Sequence, residues 1–146
     1  MQAFKPVQIL LVEDNLDDVE ITKRALAKSR VANDLHVVRD GQEAHDFIFR
    51  HGAFTDAARP DLILLDVNLP KMNGMEVLEA VRRDDRTAMI PVIMLTASDR
   101  EEDVVRSYKL GSNTYIQKPV EFAKFIAALD VLGQYWIVIA KLPPAA

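Results

Sequence analysis

The sequence predicts an α/β fold built on a parallel sheet, and two observations support this prediction. Five short apolar runs alternate along the 146 residues with stretches in which apolar side chains recur at helical spacing. Such alternation with short connections is typical of right-handed crossovers, which produce a parallel sheet covered by helices on both faces. No internal repeat, low-complexity tract or linker interrupts the alternation, so we expect residues 1–146 to form a single domain.

The first half of the chain predicts two strands and two helices. The dipeptide Asp14-Asn15 supplies N-cap chemistry for the first helix, and Asp40-Gly41 turns the chain before the second. A polar, alanine-rich loop then leads to Pro60. In order, the predicted elements are a strand at about 7–13, a helix at 16–29, a strand at 35–39, a helix at 42–50 and the loop at 51–59.

The second half predicts three strands and three helices. Its first strand is a run of four apolar residues that ends at Asp66, and a short loop separates this strand from a helix that begins at Gly74. Gly111 is a helix-stop signal, and Lys118-Pro119 separates the last strand from the last helix. In order, the elements are a strand at 62–66, a helix at 74–83, a strand at 90–96, a helix at 100–110, a strand at 113–117 and the final helix.

Polar and charged side chains stand where four of these strands end. Glu13 and Asp14 close the first strand, Asp66 closes the third, Thr96 closes the fourth and Lys118 closes the fifth. The carboxyl ends of parallel strands converge on one crevice, where ligands bind. Three acids in one place repel each other unless a hard divalent cation sits among them, and Mg²⁺ takes oxygen ligands of this kind. The sequence therefore predicts a Mg²⁺ site at this edge of the sheet.

Composition narrows the function classes. The formal net charge of −4 argues against a nucleic-acid binder, which usually carries a basic face. The chain has no cysteine, so it offers no disulfide, thiol nucleophile or thiolate metal site. No apolar run is long enough to cross a membrane, and no secretory signal is visible. We therefore expect a cytoplasmic protein that binds neither nucleic acid nor membrane.

The residues at the strand ends, in this order and spacing, resemble the receiver domain of two-component response regulators over essentially the whole chain. Asn68, Pro70 and Gly74 follow Asp66 at offsets of 2, 4 and 8 residues. The remaining landmarks are Glu13-Asp14, Thr96-Ala97, Tyr115 and Lys118-Pro119. The resemblance implies the flavodoxin-like receiver fold, a five-stranded parallel sheet of order 2-1-3-4-5 with helices on both faces.

A narrower resemblance is to the small stand-alone regulators that partner bacterial phytochromes. It rests on the acidic run at 13–15 with Asp18, the long loop before Pro60, and the apolar, aromatic ending at 135–143. The family resemblance implies a sensor histidine kinase as the partner, and the narrower one names a bacterial phytochrome as the candidate kinase.

The resemblance also implies a phosphoryl-transfer site. Asp66 is the expected phosphoacceptor, a nucleophile that forms an acyl phosphate. Thr96 and Tyr115 are the expected switch residues, because the Thr96 hydroxyl turns toward the phosphoryl group and vacates space that Tyr115 enters. The other implied roles are phosphoryl binding by Lys118, help from the Ala97 backbone N–H, and Mg²⁺ coordination by Asp14, Asp66 and the Asn68 carbonyl, with Glu13 acting through water.

A member of this family is expected to be a signalling module rather than an enzyme, catalysing only its own phosphoryl transfer and slow autodephosphorylation. Only 27 residues follow Pro119, enough for an extended C-terminal helix and tail at about 119–146 but not for an output domain. The expected output of phosphorylation is therefore a protein–protein interaction.

The sequence leaves other functions open. These are a phosphate shuttle in a phosphorelay, an Asp-nucleophile hydrolase, a nucleotide-binding flavodoxin-like protein and a receiver-like module that has lost phosphorylation. A hydrolase would want a second acid two residues after its nucleophile, where this chain has Asn68. A dinucleotide binder would want a GxGxxG turn, which the five glycines do not form. The intact acid set argues against a loss of phosphorylation.

The distribution of apolar residues along the predicted final helix indicates a homodimer. Apolar residues from Phe122 to Ala140 form one stripe that suits packing on the sheet, but further apolar residues lie largely off this stripe. A helix that is apolar on both sides must bury both, either in a symmetric homodimer through the last strand and helix or by folding back after Gly133. The candidate interface residues are Val131, Tyr135, Trp136, Val138, Ile139 and Leu142.

Three histidines and one further acid are expected first to be ordinary surface or partly buried side chains. The scattered spacing of His36, His45 and His51 places them on separate elements, so we expect surface or partly buried side chains rather than metal ligands or relay histidines. Asp18 lies in the first turn of the first helix, where an acid suits the helix dipole, and we expect first a solvated charge, with contact to the acidic pocket as the alternative.

Overall fold

The computed structural model describes residues 6–29, 32–97, 100, 106, 110–112 and 114–139, with side chains described as far as Val131. Five strands form one parallel sheet in the order β2-β1-β3-β4-β5, as predicted. The elements are β1 (Val7–Val12), α1 (Leu16–Lys28), β2 (Asn33–Val38), α2 (Gly41–Phe49), β3 (Leu62–Asp66), α3 (Gly74–Arg83), β4 (Val92–Thr96), β5 (Thr114–Gln117) and the last helix (Phe122–Ile139).

The three central strands are almost entirely apolar because helices cover both faces of the sheet. Every residue of β3 and β4 is buried, as is every residue of β1 except Gln8. β1 pairs with β2 on one side and with β3 on the other, so the strand order reverses between β1 and β3. The carboxyl ends on either side of such a reversal border a crevice that suits ligand binding.

Two apolar cores lie on opposite faces of the sheet, because successive side chains of a strand point in opposite directions. One core joins Leu11 and Leu64 to α1 and to Phe125 of the last helix. The other core joins Leu10 and Ile63 to α2 and α3. The described helices therefore flank the sheet on both faces, which confirms the predicted layering.

Side chains cap the first turns of α1, α2 and α3. Asn15, Asp40 and Asn73 each accept a hydrogen bond from the backbone N–H three residues later. Such caps satisfy donors that the first turn of a helix leaves unpaired. The predicted cap of α1 is thus confirmed at Asn15, and Asp40 caps α2 as well as turning the chain.

Some boundaries differ from the sequence-based prediction by one or two residues, the usual scatter at element ends. β2 begins at Asn33 rather than at 35, and the loop after α2 contains a 3-10 turn at Gly52–Phe54. Of the predicted helix at 100–110, the structure describes residues 100, 106 and 110, and Arg106 is helical. Residues 140–146 lie outside the described residues. Gly111 has a φ of 91°, which suits its predicted role as a helix stop. Within the described ranges, no helix combines the length and hydropathy that a membrane span requires.

Candidate functional site

The carboxyl edge of the sheet gathers an ammonium and several carboxylates around one point. Glu13 follows β1, Asp66 ends β3 and Lys118 follows β5. The Lys118 Nζ donates to Glu13 Oε1 at 2.9 Å, to Asp66 Oδ2 at 3.0 Å and to Asp18 Oδ2 at 3.3 Å. Since β4 lies between β3 and β5, Lys118 reaches past one strand to join side chains from distant parts of the chain.

Three of the acids form a candidate cation site beside this lysine. One carboxylate oxygen from each of Glu13, Asp14 and Asp66 lies within 4.8 Å of the others. Glu13 and Asp66 are buried whereas Asp14 is exposed, so the group opens to solvent on one side. With Asp18, the pocket holds four carboxylates, three of which contact the Lys118 ammonium. A donor set made only of oxygens with excess negative charge fits a hard divalent cation.

Backbone N–H groups hold the second oxygen of each buried acid. The Asn15 N–H donates to Glu13 Oε2 at 3.1 Å, and the Asn68 N–H donates to Asp66 Oδ1 at 3.1 Å. A Cβ at Gly74 would lie 2.1 Å from the Asp66 carbonyl oxygen, so only glycine lets α3 begin this close to the end of β3. These contacts orient the two carboxylates before any ligand arrives.

Burial and charge shift the pKa of two groups in the pocket. Burial raises the pKa of Glu13 to about 7; the hydrogen bond from Lys118 opposes this shift, and the negative charge of Asp66 adds to it. Burial by itself lowers the pKa of Lys118, but its hydrogen bonds to Glu13 and Asp66 outweigh burial, and the net pKa is raised. Lys118 therefore remains an ammonium at neutral pH, whereas Glu13 of the metal-free protein is near its titration point.

Thr96 and Tyr115, the predicted switch residues, occupy the last two strands. Thr96 ends β4 and is buried, one residue beyond Leu95, the sheet partner of Asp66. The Thr96 carbonyl oxygen accepts from the Lys118 backbone N–H at 2.7 Å. Tyr115 lies on the edge strand β5 and is 37% exposed. Thr96 therefore borders the acidic pocket, while Tyr115 lies at the outer edge of the sheet.

The loop residues predicted from the sequence border the same edge. The Gly41 N–H donates to the Pro70 carbonyl oxygen at 3.2 Å, which ties the loop before α3 to the start of α2. Asn68 and Ala97 are exposed and follow the ends of β3 and β4. The peptide bond that precedes Pro119 is cis.

One sequence-based expectation was wrong. Asp18 is not a fully solvated charge, because its carboxylate is 26% exposed and lies 3.3 Å from the Lys118 Nζ. A signal for this contact exists in the sequence, since the first turn of α1 starts directly after β1 and so lies over the same edge. The three histidines are surface or partly buried side chains on separate elements, as expected, but the turn at the end of α2 brings the ring centroids of His45 and His51 to 5.9 Å.

Val131 is the candidate dimer residue whose side chain lies within the described residues. Val131 is 63% exposed on the last helix. A groove of about 290 Å³ beside it is lined by β5 and the last helix, including Tyr115 and Lys124. The side chains of Tyr135, Trp136, Val138 and Ile139, and all of Leu142, lie outside the described residues.

Comparison with known proteins gives a consistent family assignment. The family profile described as the response regulator receiver domain matches residues 9–130. Response regulator Rcp1 of Synechocystis sp. (strain PCC 6803) is 36% identical to this chain over 144 residues, which cover 99% of this chain and 98% of Rcp1.

Solved structures of three similar regulators extend this result. The bacteriophytochrome response regulator RtBRR is 48% identical, with a TM-score of 0.83 over 96% of this chain and 86% of RtBRR. The phosphorylated cyanobacterial phytochrome response regulator RcpA is 40% identical, with a TM-score of 0.79 over 95% of this chain and 99% of RcpA. The Mn²⁺-bound form of Rcp1 is 35% identical, with a TM-score of 0.75 over 97% of this chain and 98% of Rcp1. The chain therefore belongs to the response regulator receiver family and is a response regulator of two-component signal transduction.

Proposed function

We propose that Asp66 is the phosphoacceptor of this response regulator and that a sensor histidine kinase is the phosphoryl donor. The observation that carries this proposal is the position of Asp66, whose buried carboxylate ends the central strand β3 with the Lys118 ammonium 3.0 Å away. Glu13 and Asp14 complete a cation site around the same carboxylate. A nucleophilic carboxylate, a lysine and a divalent cation are the parts that phosphoryl transfer to an acid requires.

The chemistry at Asp66 is a displacement at phosphorus. A carboxylate oxygen of Asp66 forms the new O–P bond while the bond from phosphorus to the donor's imidazole nitrogen breaks. Phosphoryl transfer depends mainly on positioning and on neutralisation of the negative charge. Lys118 supplies a positive charge to the phosphoryl oxygens, and the Asn68 N–H holds the carboxylate in place. The Thr96 hydroxyl and the Ala97 N–H are the proposed donors to the phosphoryl group.

We propose Mg²⁺ as the cation, held by Asp14, Asp66 and the Asn68 backbone carbonyl. Bound Mg²⁺ would neutralise charge on the phosphoryl oxygens. We propose that Glu13 acts through water rather than by direct coordination, as the family resemblance implies. The Mn²⁺-bound form of the similar regulator Rcp1 supports a divalent cation in this family.

Mass spectrometry after incubation with a small phosphodonor and Mg²⁺ tests the proposal. We expect one added phosphoryl group that maps to Asp66 and persists for minutes, because the chain stores the group rather than releasing it. Rapid turnover of many phosphate esters without a stable adduct would instead indicate a hydrolase. An adduct that maps to another residue would overturn the assignment of Asp66.

Replacement of Asp14 should weaken Mg²⁺ binding and phosphorylation together. The Asp14→Ala variant loses a direct oxygen ligand, so we expect its Mg²⁺ affinity to fall at least about tenfold, the range in which loss of even an outer-sphere partner lies. Glu13→Ala should weaken both properties less. Calorimetry with Mg²⁺ measures the affinities. Asp17→Ala is the matched control, because Asp17 is an exposed acid in the adjacent first turn of α1. Equal Mg²⁺ affinity in Asp14→Ala and wild type would contradict this ligand set.

We propose that Thr96 and Tyr115 couple phosphorylation to partner binding. A phosphoryl group adds about −1.5 to −2 charges and three acceptor oxygens, which attract the Thr96 hydroxyl. Tyr115 then enters the space that the hydroxyl leaves, and the surface around β5 and the last helix changes shape as one packing replaces another.

Replacement of Thr96 tests this coupling. Thr96→Ala should keep part of the phosphorylation, since Asp66 and the cation ligands remain, but its partner affinity should no longer depend on phosphorylation. Thr96→Ser keeps the hydroxyl and should retain the coupling. Binding of the phosphorylated and unphosphorylated forms to the isolated partner measures the effect. A wild-type protein whose partner affinity is unchanged by phosphorylation would rule out the switch.

Sensor histidine kinases act on this family, and we propose a bacterial phytochrome as the kinase of this chain. The similarity to RtBRR and RcpA, both phytochrome response regulators, supports this choice. The receiver profile covers residues 9–130 of the sequence. We propose that phosphorylation acts by changing the affinity of this chain for another protein. Comparison of phosphorylation rates among candidate kinases tests the choice, and fastest transfer from a kinase without a phytochrome module would contradict it.

We also propose a homodimer that uses β5 and the last helix. The exposed edge of β5, the adjacent groove and the exposed side chain of Val131 support this surface, and the apolar sequence at 135–139 extends it. Large aromatic residues dominate interface energetics, so Tyr135 and Trp136 are the proposed anchors. A two-fold axis would bring the same patch of both copies together.

Light scattering at micromolar concentration tests the dimer. We expect the wild type to be dimeric, whereas a chain that ends at Gly133 and a Val131→Glu variant should shift to monomer. Leu16→Glu is a matched control, because Leu16 is exposed to a similar degree (62% against 63% for Val131) but lies on α1, outside the proposed interface. A monomeric wild type would defeat the proposal, and a truncated chain that stays dimeric would place the interface elsewhere.

A further inference from the structure

A second group of potential metal ligands lies at the end of α2. One ligand atom from each of His45, Asp46 and His51 lies within 4.8 Å of the others. His45 and Asp46 belong to the last turns of α2, and His51 follows its C-cap residue, Arg50. Because α2 starts at the carboxyl edge of the parallel sheet and runs back along it, this group lies toward the opposite edge from the acidic pocket.

The local fold orients each member of the group. Arg50 adopts the left-handed conformation (φ 59°) and turns the chain back at the end of α2, so that the His51 N–H donates to the Asp46 carbonyl oxygen at 2.8 Å. The side chain of Gln42 donates to Asp46 Oδ1 at 3.1 Å. This bond fixes the carboxylate and leaves its second oxygen available for a ligand. The backbone turn and these hydrogen bonds therefore determine where the side chains of His51 and Asp46 lie.

An aromatic ring supports both imidazoles. The Phe49 ring centroid lies 4.6 Å from that of His45 and 6.4 Å from that of His51. His45 and Asp46 are half-buried, while His51 is exposed. An ion at this place would be accessible from solvent, and its ligands would need little ordering because the ring already restricts them.

The charges around the group favour a cation. The same side of the protein carries a cavity of about 360 Å³ lined by both histidines and by Arg83, Asp84 and Arg86. Arg86 is paired with Asp84 at 2.7 Å, and Arg83 is paired with Glu79. Since both guanidiniums are neutralised by carboxylates, the Asp46 charge remains for a bound cation. A carboxylate within the ligand group would also repel an anion.

We propose that His45, Asp46 and His51 form a binding site for a divalent transition-metal ion, with Zn²⁺ as its best match. Imidazole nitrogens and one carboxylate suit ions of borderline softness, whereas Mg²⁺ prefers oxygen ligands. Ligand atoms bound to Zn²⁺ at about 2.0–2.1 Å lie closer together than 4.8 Å, so the side chains must close by about an ångström. Water completes the coordination, and the bound ion ties the turn after α2 to the helix.

Calorimetric titration of the full chain with Zn²⁺ in saturating Mg²⁺ tests this site, because Mg²⁺ occupies the acidic pocket and leaves the histidines free. We expect one Zn²⁺ per chain. His45→Ala and His51→Ala should each lower the Zn²⁺ affinity at least about tenfold. Proton NMR should show Zn²⁺-dependent shifts of the His45 and His51 imidazole signals, and circular dichroism checks that the variants are folded.

His36→Ala is the matched control, because His36 lies on β2 against Phe47 and contacts Gln8 rather than the group. It should bind Zn²⁺ as the wild type does. Three results would each overturn the proposal: no Zn²⁺ binding in saturating Mg²⁺, equal losses in the His36 and His51 variants, or imidazole signals of His45 and His51 that do not move with Zn²⁺.

Discussion

Asp66→Asn should abolish covalent phosphorylation by small phosphodonors and by the kinase while leaving the fold intact. The amide has nearly the shape of the carboxylate and can still accept from the Asn68 N–H, which holds Asp66 Oδ1 in the wild type. It lacks the nucleophilic oxygen that forms the acyl phosphate. Phosphate incorporation, measured by mass spectrometry, should fall below detection.

The same variant should be more stable than the wild type in the absence of divalent cations. Three of the four carboxylates in the pocket share the Lys118 ammonium, and removal of one buried negative charge relieves repulsion among the rest. Lys118 keeps its contacts with Glu13 and Asp18. Thermal unfolding in a chelator should show a rise in Tm of a few degrees.

Asp61→Asn is the control for both measurements, because Asp61 is an exposed acid just before β3, at the opposite end of the strand from Asp66. It should be phosphorylated as the wild type is. Undiminished incorporation in Asp66→Asn would show that another residue is the nucleophile, and a lower Tm would show that the Lys118 contact outweighs repulsion among the acids.

Lys118→Met should produce the largest loss of stability among single substitutions in the pocket. The variant leaves the buried carboxylates of Glu13 and Asp66 without the ammonium that lies 2.9 and 3.0 Å from them. Removal of one partner from a buried ion pair costs about 3–5 kcal/mol. Urea unfolding in a chelator at pH 8 measures this loss. Mg²⁺ should restore part of it, because the ion binds only the folded state.

The loss in Lys118→Met should shrink as the pH falls. Burial raises the pKa of Glu13 from 4.5 to about 7, so the folded state takes up a proton there before the unfolded state does. Stability of the metal-free fold therefore rises as pH falls from about 7 toward 4.5. Without Lys118 the pKa of Glu13 should rise further. Urea unfolding at pH 6 and pH 8 measures the difference.

Lys124→Met is the control for the loss of one positive charge outside the pocket. Lys124 is exposed on the last helix and contacts the Gln117 and Pro119 carbonyls at 3.2 and 3.4 Å. Exposed contacts of this kind contribute little to stability, typically about 0–1 kcal/mol. If Lys118→Met and Lys124→Met unfold at the same urea concentration in chelator, Lys118 does not hold the pocket together.

The fold was predictable because its signals are local. The apolar run that ends at Asp66 indicates a buried strand rather than a surface loop, and every residue of β3 is buried. Asn15 marks the start of α1, and the left-handed Gly111 follows the predicted helix stop. The strand order itself came from the family resemblance, since alternation of strands and helices is compatible with more than one order.

The residues of the candidate site were likewise predictable from local sequence signals, whereas some of their contacts were not. Glu13, Asp14, Asp66 and Lys118 could be predicted because each stands at a strand end, and parallel strands present these ends at one edge. The order of contacts around Lys118 could not, because it depends on how far one flexible side chain reaches past β4. Asp18 entered the pocket for this reason, although its position in sequence is equally typical of a solvated helix start.

What the sequence by itself determined is the layered α/β architecture, the sheet edge that carries the site and the residue types that meet there. Those depend on periodicity and on strand ends, which are properties of short segments. Only the tertiary structure decided that Glu13 is fully buried with a raised pKa, that Asp18 joins the pocket, and that His45 and His51 lie together. Burial, side-chain reach and a left-handed turn depend on the neighbours that packing supplies.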